Sequence, residues 1–162
     1  MEVYGSNQAN HQGAYERVMS SKPELIAEAV ITHLTGGSFA YPLAVSKKLV
    51  PVYDRDALPE GWEVTVHVGP QQRTKQARAG SFLRVYQVGI VLRYQPVATE
   101  LENASVAKVL QVSEEIMDSL EAFKPLGLYA IDEIEQSDPF SLSKQDENGY
   151  YLTQIFARYK GF

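Results

Sequence analysis

After Ser21, apolar residues recur at helical spacing: Leu25, Ile26, Ala29, Val30 and Leu34 share one side of a segment that Gly36-Gly37 stops. Ser21, Pro23 and Glu24 open that segment as a capping box with proline in the first turn, where its missing N–H costs nothing. From Val45 to Tyr53 the residues favour an extended strand, with Pro51 marking an edge or a bulge because it cannot donate to a ladder. A strict alternation follows Pro59-Glu60-Gly61. Trp62, Val64, Val66 and Val68 fall on one face, and Glu63, Thr65 and His67 on the other. Gly69-Pro70 is expected to end this strand, a polar and basic loop to run to Gly80, and a second alternation to place Tyr86, Val88, Ile90, Leu92 and Tyr94 together. Between Asn103 and Phe123 the period returns to helical, with Val106, Val109, Leu110, Ser113, Ile116, Met117, Leu120 and Phe123 on one stripe. Pro125 and Gly127 break it. Leu128 to Glu135 and Tyr150 to Tyr159 read as two more strands, the last apolar on both faces and therefore central or intersubunit.

The order α-β-β-β-α-β-β predicts an α+β fold, a two-layer sandwich in which a twisted, mostly antiparallel sheet packs against two helices. Trp62, Val64, Val66, Tyr86, Val88 and Ile90 are expected to form its core under Leu110, Ile116 and Leu120. Residues 1–20 read as a polar arm and residues 21–162 as one domain with a long hairpin over 62–95. A chain of 162 residues is long enough to bury a core without staples, and the absence of cysteine removes disulfides, thiolate nucleophiles and Cys-based zinc sites together. No apolar run approaches a membrane span, and Met1 to Tyr15 lacks the pattern of a signal peptide.

Charge changes the picture more than composition does. The formal net charge of -5 argues against a general nucleic-acid binder, yet the interval from Val64 to Thr99 contains no acid and holds Arg73, Lys75, Arg78, Arg84 and Arg93. Asp132, Glu133, Glu135, Asp138, Asp146 and Glu147 gather near the C-terminus with Lys144 alone among them. Two surfaces of opposite sign are expected.

Catalytic patterns are sparse. His11, His33 and His67 have no second ligand at metal-binding spacing; His33 is expected beside the apolar face of the first helix and His67 on the polar face of a strand. Gly36-Gly37-Ser38 follows a helix, whereas phosphate loops precede one. Asp54-Arg55-Asp56 reads as a solvated ion-pair turn, although Asp54, Asp56 and His67 would be the first candidates for an acid–base site if a pocket united them. Nucleophile elbows, zinc-protease helices and Walker motifs are missing from the sequence. The basic stretch Gln71 to Arg84 is either a solvated tip or an arm that meets phosphates or carboxylates, and without aromatics in Gln71–Gly80 it offers no stacking platform for single strands.

Lys22-Pro23-Glu24-Leu25-Ile26, Val50-Pro51-Val52-Tyr53-Asp54, Leu58, Val64-Thr65-Val66-His67-Val68-Gly69-Pro70 and Val112-Ser113-Glu114-Glu115-Ile116 resemble the small neck and tail-completion proteins of tailed bacteriophages. Over Lys22 to Tyr159 the order of elements is similar to that of the tail terminator family. The resemblance implies a structural virion protein rather than an enzyme, without cofactor or metal. It implies a homo-oligomer, a hexameric ring capping the tail tube, with the tail tube protein below and a neck or head-completion protein above. A head-completion or stopper protein of the neck is the alternative it leaves open. In such an assembly Arg73, Lys75, Arg78 and Arg84 would face either the channel, in non-specific contact with genomic DNA, or a neighbouring subunit.

Overall fold

Alternating strands and two amphipathic helices can hide their apolar sides only against each other, and the computed structural model, which describes residues 21–48, 61–75, 82–97, 99–137 and 150–161, does this in two layers. Helix α1 (Lys22–Thr35) is followed by β1 (Leu43–Lys47), β2 (Gly61–Lys75), β3 (Phe82–Gln95), α2 (Glu102–Glu121), a 3-10 turn (Pro125–Gly127), β4 (Ala130–Gln136) and β5 (Tyr151–Gly161). The five strands form one sheet in the order β1-β2-β3-β5-β4. Only the β1–β2 pairing is parallel, so the sheet is mixed but mostly antiparallel. The polar arm, Pro51, the Asp54–Asp56 turn, Arg78 and residues 138–149 lie outside the described residues.

Helix α1 lies against β1, β2 and β3, while α2 lies against β4 and β5, so both helices cover the same face. Strand register stacks that face in rows: Trp62, Tyr94 and Tyr151; Val64, Leu92 and Thr153; Val66, Ile90 and Ile155. These side chains are buried beneath Ile26, Val30 and Leu34 of α1 and Val109, Val112, Ile116 and Leu120 of α2. The last strand is thus an interior one, between β3 and β4. At the start of α1 the Glu24 carboxylate accepts from the backbone N–H and the hydroxyl of Ser21 at 2.8 and 2.9 Å, closing the turn as expected.

Three expectations need correction. Leu110 is not core: it is 41% exposed, and Val112 takes its place. The stripe facing the sheet runs Ser105, Val109, Val112, Ser113, Ile116 and Leu120, so the period was right and the phase was set one row too far round the helix. On α1, Leu25 faces outward and Ala27 inward by the same kind of offset. Most consequentially, Gly69-Pro70 does not end the strand. Strand β2 continues to Lys75 through a bulge between Val68 and Gln71, and a bulge is where a strand tolerates the missing N–H of proline. Much of the supposed basic loop is therefore a hairpin continuing past the body of the sheet. Strand β1 pairs with β2 only as far as Val66, and β5 meets β3 only from Arg84 onward.

Candidate interaction surfaces

The bulge determines where the cations stand. Beyond it Arg73 pairs with Arg84 directly across the β2–β3 ladder, so two guanidinium groups share one side of the hairpin, a juxtaposition that costs stability. Because β3 is regular from Arg84 to Tyr86, both arginines belong to the side that carries the helices. Arg73 is exposed and Arg84 half-buried. Among the described residues neither is ion-paired. Lys75 lies one pleat further along the same strand, opposite Phe82. Of the four cations singled out from the sequence, the structure brings three to one hairpin; the fourth, Arg78, is outside the described residues.

The acidic counterpart is β4, an edge strand. Glu133 and Glu135 pair with Arg158 and Phe156 of β5 and so belong to the opposite, helix-free side of the sheet. Arg158 bonds Glu133 and lies 3.9 Å from Glu135, while Lys160 bonds Asp132 at 2.7 Å. Three carboxylates thus face two cations, and the Glu133 and Glu135 side chains stay 52% and 62% exposed. The sequence showed these charges but not their pairing, because the partners are 25 and 28 residues apart.

The rest of the helix-free side holds a buried ion pair and a histidine. Glu63 and Arg93 are cross-strand neighbours that bond each other. Lys48 lies 3.4 Å from Glu63, and the Arg93 guanidinium stands 5.9 Å from the centre of the Tyr150 ring. His67 lies across from Gly89, its ring over the glycine Cα, and burial holds its imidazole below the usual histidine range. Among the described residues His67 Nδ1 is buried without a hydrogen-bond partner, so none of them orients it as a general base. His33 instead joins the helices: its Nε2 donates to the Ser119 carbonyl at 2.9 Å, and its ring stacks on Phe123 at 4.0 Å.

At the other end of the helical side, Trp62 stacks between Tyr94 at 4.1 Å and Tyr41 at 5.3 Å. Glu100 accepts from the Tyr94 hydroxyl and pairs with Lys108, whose ammonium stands 5.7 Å from the Tyr41 ring centre. Burial, then the bond to Glu100, raises the Tyr94 phenol above its usual range. This is a clasp that ties the connection after β3 to α2, since every group in it is already partnered. Among the described residues no three His, Asp or Glu side chains could hold a metal ion, and no helix is long and apolar enough to cross a membrane.

No family model matches this chain, and no curated protein does either. Among solved structures it is similar to a chain from the "virion of native gene transfer agent (GTA) particle", with 13% identity, a TM-score of 0.43, and coverage of 83% of this chain and 94% of that one.

Proposed function

We propose that this chain is a structural virion protein of a tailed phage, a tail terminator whose copies form a ring that caps the tail tube and offers the surface to which the head joins. The observation that carries the reading is the β2–β3 hairpin: it runs past both flanking strands and sets two arginines opposite each other with no carboxylate partner in the chain's own described residues. Such a pair leaves its electrostatic cost to be offset by a negative partner. The element order supports the same reading, since it is the one implied by the resemblance. An enzymatic role has little to stand on among the described residues, where His67 faces a glycine rather than a proton-relay partner.

In this reading the ring is hexameric, the tail tube protein lies below it and a neck protein above, and the protein resides in the finished virion. Negative-stain images of particles made without the protein test it. Tails of uncontrolled length are expected, with filled heads left unjoined. Particles with normal tails and unjoined or leaking heads would overturn the terminator assignment in favour of a head-side neck protein.

A further inference from the structure

The basic hairpin and the acidic β4 edge cannot satisfy each other within one copy. Arg73 and Arg84 stand on the side of the sheet that carries the helices, whereas Glu133 and Glu135 stand on the helix-free side. Strand β2 is moreover separated from β4 by β3 and β5, roughly 14 Å at the usual strand spacing. Among the described residues neither element is covered: strand β1 pairs with β2 only as far as Val66, and β4 is the last strand of its sheet. The acids and the bulge between Ile131 and Glu133 blunt β4 against pairing with another β4, because like charges would meet. They do not blunt it against a strand that carries arginine.

We infer that the hairpin end of one copy, through Arg73 and Arg84, docks on the β4 edge of a second copy at Asp132, Glu133 and Glu135. The inference rests on the ring reading and adds the surfaces that join the copies. The contact is heterologous, since a basic patch meets an acidic one elsewhere on the next molecule, and repeated contacts of this kind close into a ring when the rotation between copies allows. The charges match: on one side two cations with no ion-pair partner among the described residues, and on the other three carboxylates sharing two cations. Duplex DNA is the other polyanion that could meet these arginines. It is disfavoured by the net charge of -5 carried by every copy, and it would leave the exposed carboxylates of β4 without a role.

The test is sedimentation velocity of the full chain up to millimolar concentration in low salt. Two charge-reversed variants, Arg73→Glu/Arg84→Glu and Glu133→Lys/Glu135→Lys, are run alone and mixed, with circular dichroism to verify folding. The wild type is expected to self-associate, and less so as salt rises. Each variant alone should associate roughly a hundredfold more weakly, because like charges are brought together at the contact, while the mixture should recover association between unlike variants. Glu133→Gln/Glu135→Gln removes the acids without placing a new cation beside Arg158, and it is expected to weaken association if the Lys variant fails to fold. Three results would overturn the inference: a wild type that stays monomeric, variants that assemble as well as the wild type, or a mixture no better than its components. If Arg73→Glu/Arg84→Glu assembles normally but loses salt-sensitive binding to a short DNA duplex, the arginines serve phosphates instead. None of these results bears on tail length in particles lacking the protein, so failure here is separable from failure of the terminator reading.

Discussion

Gly89→Ala tests the helix-free side of the sheet through a single methyl group. A Cβ on Gly89 would fall on Nε2 and Cε1 of the His67 imidazole, well inside van der Waals contact, and would be 2.9 Å from Cδ2, the farthest of the three nearest atoms. The glycine backbone sits in a regular β3 pairing with both β2 and β5, so the ring has to give way. Because His67 is only half-buried, it can swing toward solvent, which sets the cost at its lost packing rather than at a full core clash. Overpacking of this kind costs about 1–3 kcal/mol, partly offset by about 0.5–1 kcal/mol from replacing a mid-strand glycine. The expected net destabilisation is about 1–2 kcal/mol, or roughly 2–4 °C of melting temperature per kcal/mol for a domain of this size. In a His67→Ala background the clash disappears and the same substitution should be neutral or slightly stabilising. Urea denaturation of the four proteins in the double-mutant cycle gives the coupling directly. Equal destabilisation in both backgrounds, or none in either, would refute the packing of His67 on Gly89.

Ile116→Asp should cost several kcal/mol, because Ile116 is fully buried beneath α2 and the new carboxylate would have no partner there; an unchanged melting temperature would place the wrong face of α2 on the sheet. Arg93→Leu leaves the Glu63 carboxylate with Lys48 alone and should destabilise by about 1.5–3 kcal/mol, whereas Glu63→Gln/Arg93→Leu should recover part of that loss, as denaturant titration would show. Burial depresses the His67 imidazole in the folded state, so the unfolded chain takes up the proton first as pH falls. Stability is therefore expected to be complete above the ordinary histidine range and to fall on acidification below about pH 6.5; melting curves across pH should show a shallower slope in His67→Ala.

Strict alternation made β2 and β3 legible, because a strand with one buried face writes its period directly into the sequence, while β5 was legible as an interior strand from being apolar on both faces. Helix α2 was legible in period but not in phase: Val112, flanked by Gln111 and Ser113, looked peripheral, and Leu110 looked central until the sheet fixed the inner face. The parallel pairing of β1 left no local mark, since direction is set by where a strand docks. Gly69-Pro70 misled for a specific reason: the same dipeptide that ends a strand can sit in a bulge, and only the facing strand distinguishes the two. Arg73, Lys75 and Arg84 were visible as cations of one hairpin, but the placing of Arg73 directly opposite Arg84 on one side of it was not. It depends on the extra residue that the bulge inserts before Gln71.

The bulge therefore links the fold to the proposed function. Without the inserted residue every side chain of β2 beyond it would exchange faces, since a one-residue slip reverses the alternation. Arg73 would then point to the helix-free side, where β5 already carries Arg158 and Lys160 with their carboxylates, and Arg84 would remain alone on the other. With the bulge the two arginines stand together on a part of the hairpin that β1 does not flank. The resulting repulsion is local and met by no carboxylate among the described residues, while the acids of β4 lie on the far side of the sheet. A fold that separates its charges in this way gains most from a repeated contact between copies, which is the contact a ring requires.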